Sequence, residues 1–130
     1  EGLISTSIKC SVQDYDGGIW FGTRGAGLVK YNGDKFRNIT RSEGLSESRV
    51  ISIAQDRDKN LWLGTFGGYV TKIVARDSSG TKVFENLYYN DNSGLTNSRI
   101  YSVILDSKGR VVVGSDGGDI TYIDKKSMSL

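Results

Sequence analysis

Three segments of this chain share one plan, and that repetition limits the folds open to it more than any other feature. Gly2-Leu3, Gly44-Leu45 and Gly94-Leu95 each open a segment, and 2–31, 44–73 and 94–123 align without a gap. The register offsets are 42 (44 − 2) and 50 (94 − 44). Asp14, Asp56 and Asp106 coincide. So do Trp20, Trp62 and Val112, then Gly22, Gly64 and Gly114, then Gly25, Gly67 and Gly117. A repeat of this length is one supersecondary unit whose apolar faces are buried only when neighbours stack on it.

Each unit reads as short strands. In the second, Val50–Ala54, Leu61–Thr65, Tyr69–Val74 and Val83–Tyr89 are rich in β-branched and aromatic residues, which suit a pleated, packed surface. The polar run Asp56-Arg57-Asp58-Lys59-Asn60 is turn chemistry, because Asp and Asn side chains bond backbone amides two residues on. In the first unit the matching strands are Ile8–Val12, Ile19–Phe21, Gly27–Tyr31 and Phe36–Thr40. The chain has no proline and no helical apolar stripe. Four short strands in roughly 40–50 residues is the arithmetic of a β-propeller blade. The expected fold is therefore all-β: a partial propeller of about three four-stranded antiparallel blades, at 1–42, 43–93 and 94–130, the last truncated. The glycine after each second strand (Gly22, Gly64, Gly114) is expected to admit a bulky neighbour to the backbone. Trp20 and Trp62 are expected to fill the space between blades. Trp62 in particular should be largely buried, with Gly64 close by.

At this point the pattern resembles a known family. Gly-Leu, then Val/Ile, then Asp-x-x-Gly as in Asp14–Gly17 and Asp106–Gly109, then Leu-Trp-x-Gly-Thr-x-x-Gly as in Leu61–Gly68, is similar to the two-component regulator propeller repeat. Asp14–Gly25 carries the first copy of the motif and Gly44–Ile73 the second. The third departs from it, with Val112 for tryptophan and Ser115 for threonine. WD40 blades carry a Gly-His signature, and this chain has no histidine. Kelch blades place their double glycine before the tryptophan, whereas Gly67-Gly68 follows it. The resemblance implies the extracytoplasmic, periplasmic sensor region of a bacterial hybrid histidine kinase, responding to a glycan or another small molecule.

Composition removes several classes. Net charge is +2, from 17 basic and 15 acidic residues, with no run that calls for nucleic acid. No apolar stretch is long enough to insert in a bilayer as a helix. Without histidine, the commonest general base and metal ligand is missing, and Ser-His-Asp, Cys-His and zinc-finger sites are excluded within this segment. Asp56-x-Asp58-x-Asn60 is the start of a calcium loop in outline, but Leu61 and Gly67 stand where an EF-hand needs glycine and glutamate. No cofactor and no metal site are expected. Cys10, the single cysteine, reads as a buried, inert thiol.

Shared residues serve a repeat's fold, so function is sought where the copies differ. The turn between second and third strands holds Arg24, Phe66 and Asp116 at equivalent positions. The loop entering the first strand adds Arg49 and Arg99. These five are the candidate ligand-binding residues: arginines for a carboxylate or sugar hydroxyls, Phe66 to stack on a ring. The segment itself is expected to be non-catalytic. The alternative is a propeller enzyme of the lyase or hydrolase type whose catalytic residues lie in blades outside these three. Three blades do not close a ring. The expected partners are therefore the remaining blades of the same chain, or a second copy completing a six-blade ring. The Ile8, Val12, Phe21 side and the Val111, Val113, Ile120 side are expected to be the apolar surfaces so covered.

Overall fold

The computed structural model describes residues 7–45, 48–66, 69–74, 83–88, 100–115 and 120–123. They form eleven strands in three antiparallel sheets. The first sheet is β1 (Ile8–Gln13), β2 (Ile19–Thr23), β3 (Leu28–Tyr31) and β4 (Phe36–Ile39). The second is β5 (Val50–Gln55), β6 (Leu61–Thr65), β7 (Tyr69–Val74) and β8 (Val83–Tyr88). The third is β9 (Ile100–Leu105), β10 (Val111–Ser115) and β11 (Ile120–Ile123). Strand order follows the chain in every sheet, so each is a meander blade. Strand β5 packs against β1 and β2, and β9 against β5 and β6. The innermost strands β1, β5 and β9 therefore stand side by side, as in a propeller. A 3-10 turn, Arg41–Glu43, in the link between the first two blades, was not anticipated from the sequence.

The register sorts the apolar residues into two interfaces. Trp20, Leu28 and Ile39 of the first blade meet Val50, Ile53, Leu61, Leu63 and Ile73 of the second, with Leu45 of the link beside them. Trp62 and Val70 of the second meet Ile100, Val103, Val111, Val113 and Ile123 of the third. Equivalent residues do equivalent work: 20 and 62 lead one interface each, as do 28 and 70. Trp62 is fully buried. A Cβ built on Gly64 would lie 2.8 Å from Ile100 Cγ2 and 2.9 Å from Val103 Cγ2. A Cβ on Gly22 would lie 2.7 Å from the Val50 carbonyl oxygen and also collide with Cys10 Sγ. Each of these glycines thus lets the next blade close on the backbone, as expected. Gly114 would meet nothing nearer than Ser102 Cβ at 3.8 Å, because among the described residues no blade follows the third.

The open faces are not composed as the sequence suggested. Val111 and Val113 are fully buried against the second blade, and Val12 packs on the first interface. Strand side chains alternate between faces, so Val111 and Val113 share the face opposite Val112. The open face of the third blade carries Ile104, Ile120 and Tyr122, which are 54%, 72% and 54% exposed. On the first blade the open face holds Ile8 and Phe21, with Tyr31 stacked on Phe36 at 4.5 Å between ring centroids.

The turns between first and second strands are locked by one device. Asp14 Oδ1 accepts from the Asp16 and Gly18 amides at 2.9 and 2.8 Å, and Oδ2 from the Trp20 indole Nε1 at 2.8 Å. Asp56 does the same with Asp58, Asn60 and Trp62 at 2.9, 2.9 and 2.8 Å. In the third blade Val112 has no donor, and the Arg110 guanidinium takes the indole's place at 2.6 Å from Asp106 Oδ2. The stacking partner moves too. Lys30 and Lys72 sit over Trp20 and Trp62, at 5.0 and 5.4 Å. In the third blade Tyr122 replaces the lysine, and Arg110 lies over it at 4.4 Å. The ring now stands at the lysine's position, and the cation comes from Arg110, the equivalent of Gly18 and Asn60, so a cation–ring contact is kept. Burial tends to raise the Asp14 carboxyl, but hydrogen bonds from Trp20, Gly18 and Asp16 and the charge of Lys30 hold it below the usual range. The Arg110 amide and guanidinium do the same for Asp106.

Candidate functional site

The ends of the blades where β1, β5 and β9 begin surround a cleft of about 340 Å³. It is lined by Lys9, Arg24, Arg49, Ile51, Phe66 and Tyr101. Three of the five residues singled out in the sequence meet there: Arg24, Arg49 and Phe66. Arg99 and Asp116 lie outside the described residues.

Backbone contacts bring the first three together. Arg24 and Arg49 form an isolated antiparallel bridge between the turn of the first blade and the segment entering the second. The Phe66 amide donates to the Arg49 carbonyl at 3.1 Å, and the Arg24 amide to the Ser7 carbonyl at 3.1 Å. In the first two blades the second-to-third-strand turn is thus tied to the start of an innermost strand. Thr23, buried beneath, fixes the turn that carries Arg24: its hydroxyl donates to the Gly27 carbonyl at 2.8 Å and accepts from the Ala26 amide at 2.9 Å. The Arg49 guanidinium lies 5.0 Å from the Phe66 ring centroid. Phe66 in turn meets Tyr101 edge to face at 6.2 Å.

The other three lining residues were missed by the sequence reading, and they are one position repeated. Lys9, Ile51 and Tyr101 are related by the same offsets of 42 and 50. Pairing passes from Ile8 to Cys10, from Val50 to Ser52, and from Ile100 to Ser102, skipping one residue each time. The skipped residue is the lining residue. A bulge of this kind bends the strand and re-aims a side chain, and here it does so in all three blades. The signal lay in the alignment, as a Lys/Ile/Tyr position inside a shared frame. Its importance depends on strand pairing, which the alignment does not display.

A second, smaller hollow at the opposite end is lined by Asp14, Asp16, Lys30, Gln55 and Lys59 among others. Its polar groups are engaged in the first blade's acidic turn and over its tryptophan, or in joining blades. Lys59 Nζ lies 3.2 Å from Asp16 Oδ1, and the Tyr15 amide donates to Gln55 Oε1 at 2.9 Å. Arg57 likewise reaches the Ser107 carbonyl at 3.0 Å. Cys10 is half-buried, and burial pushes its thiol up to about 11 against the opposing effect of the Gly22 amide. Such a thiol carries little thiolate at neutral pH. No group of three or more acidic or thiol side chains able to hold a metal occurs among the described residues. Nor does any helix long and apolar enough to cross a membrane.

Comparison with known proteins agrees with this geometry. The family model for the two component regulator propeller matches residues 2–25 and 44–67. No curated protein matches the chain. Among solved structures, the Dos1 propeller superposes with a TM-score of 0.66 at 16% identity, covering 93% of this chain and 34% of its own. Virginiamycin B lyase from Staphylococcus aureus gives 0.62 at 15% identity, covering 98% and 45%. An extracellular domain assigned to a hybrid two component system of B. thetaiotaomicron, BT3049, gives 0.48 at 23% identity, covering 97% and 24%. The chain spans between 21% and 45% of the lengths of these and similar solved propellers. The Dos1 and lyase likenesses establish a propeller fold, and the two motif matches identify residues 2–25 and 44–67 as repeats of the two-component regulator propeller type.

Proposed function

We propose that these blades are a non-catalytic binding module in the extracytoplasmic, periplasmic sensor region of a bacterial two-component system, and that the cleft receives a short glycan or other small molecule. The observation that carries this reading is the composition of the cleft. Five of its six lining residues come from two positions at which the repeats disagree, on a frame where they otherwise agree, and the sixth, Arg49, comes from the segment entering β5. Fold-serving residues recur between blades, as Trp20 and Trp62 do, whereas residues that serve a ligand are free to differ. The repeat type supports the sensor context. The lyase likeness is one of fold, and this chain has no histidine with which to perform acid–base chemistry at neutral pH.

The test is binding of a glycan panel to the full gene product that carries these blades, beside an Arg24→Ala/Phe66→Ala variant. Loss of two central contacts is expected to weaken binding by at least about tenfold, with an unchanged melting temperature, since both side chains project from the turn end. Equal binding by the variant removes the cleft from the reading. Consumption of the bound compound replaces the sensor with the enzyme.

We propose further that the two open faces take blades of the same repeat, from the same chain or a second copy. The precedent is internal. The positions exposed as Ile104, Ile120 and Tyr122 are, in the first two blades, those that meet a following blade. The expected result is that residues 1–130 alone associate in sedimentation while the full gene product does not self-associate through these faces. A stable monomer of the segment with a cooperative melt is the outcome that contradicts this.

A further inference from the structure

We infer that the cleft selects a ligand carrying a carboxylate on a ring with an apolar face, of which a uronic acid oligosaccharide is the representative chemistry. This rests on the cleft being the binding site proposed above, and adds the ligand class.

Three of the six lining side chains are cations: Lys9, Arg24 and Arg49. No described carboxylate lines the cleft, and neither Lys9 nor Arg24 has a carboxylate partner among the described residues. That differs from the opposite end of the blades, where Lys59 is held by Asp16 and Arg110 by Asp106. An anion entering the cleft therefore meets the charges of Lys9 and Arg24, which have no carboxylate partner among the described residues. Arg24 and Arg49 stand on adjacent, bridged backbone segments, so two guanidinium groups originate side by side. Guanidinium forks match the two oxygens of a carboxylate, in bonds roughly twice as strong as neutral ones.

The remaining wall is apolar. Phe66 and Tyr101 meet edge to face, and Ile51 lies between Lys9 and Tyr101 in the blade order. With Arg49 already over Phe66, the ring face available for a ligand is that of Tyr101, which is 47% exposed. A sugar or other ring has CH groups to lay on such a surface, and its carboxylate then falls towards the cations. The bulge is what makes the arrangement possible. In a regular pairing, a residue between Ile8 and Cys10 would project into the interface side occupied by alternate residues. The skip re-aims Lys9 and Tyr101 from the two flanking blades towards one space.

The experiment is calorimetric titration of the full gene product with trigalacturonate and with the same trisaccharide after reduction of its carboxyl groups. Citrate serves as a carboxylate without a ring. Trigalacturonate is expected to bind at least about tenfold more tightly than either, a difference that one charge-assisted contact supplies, and to weaken as salt is raised. A Lys9→Met/Arg24→Met variant should lower its affinity to that of the neutral sugar. Lys35→Met, at the far end of the first blade, should leave it unchanged. Equal binding of the neutral sugar overturns the charge requirement while leaving the sensor reading intact. Equal binding of citrate overturns the ring requirement. Trigalacturonate binding that survives the double methionine variant, or no binding of it at all, overturns the assignment, and the glycan panel then judges the sensor reading separately.

Discussion

Trp62→Ala lowers the stability of the folded protein by about 3–5 kcal/mol, the range of large aromatic truncations in a core. The indole is fully buried, among Val70 of its own blade and Ile100, Val103, Val111, Val113 and Ile123 of the next. It is the largest side chain of that interface. Truncation leaves a void between two sheets whose separation is set by their backbones, so collapse is limited. It also leaves Asp56 Oδ2 without its indole donor. Val112→Ala is the internal control, since that equivalent residue faces the open side of the third blade and loses far less. Equilibrium denaturation of the full gene product measures both. A near-neutral Trp62→Ala value contradicts the packing described here.

Asp56→Ala is expected to cost about 3–4 kcal/mol, because it strands several buried donors at once and each costs about 1–3 kcal/mol when left unpaired. The carboxylate is fully buried and accepts from the Asp58 amide, the Asn60 amide, the Asn60 side chain at 3.1 Å and the Trp62 indole. The indole and the Asn60 groups have no route to water in place of it. Trp62→Phe removes the indole donor and keeps a ring. In a double-mutant cycle with Asp56→Ala it should show a favourable coupling, as contacting groups do. Asp106→Ala provides the contrast, because its donors are on exposed residues. A loss below about 1 kcal/mol for Asp56→Ala, or additivity with Trp62→Phe, rules out the lock as an energetic unit.

The acidic turn illustrates how far a sequence can be read. Repetition of Asp14, Asp56 and Asp106 six residues before Trp20, Trp62 and Val112 identified the turn and the filler separately. Their bond joins atoms that local sequence rules treat independently, and it became visible only when Oδ2 and Nε1 were placed 2.8 Å apart. Two such bonds in two blades then explain why both residues recur together, and why the third blade, lacking the indole, carries Arg110. The glycine–neighbour contact was foreseen, because a glycine in a strand has few other uses. The faces of Val111, Val113 and Val12 were not, because alternation along a strand fixes which residues share a face without fixing which way that face looks.

By itself the sequence determined the architecture of the described residues: strands, their order and the three repeated units. These follow from apolar periodicity, turn residues and self-similarity, all of which are local or nearly so. It also marked Arg24 and Phe66 as residues that differ where the copies should agree, and Arg49 as a neighbour in the loop entering the first strand. Only the tertiary structure decided that these three share one cleft, and that Lys9, Ile51 and Tyr101 complete it. Their convergence depends on one skipped residue in each strand pairing and on the packing of β1, β5 and β9 side by side. Both are relations between segments some 40–50 residues apart, set by which backbone groups pair across blades, and no window of sequence contains them.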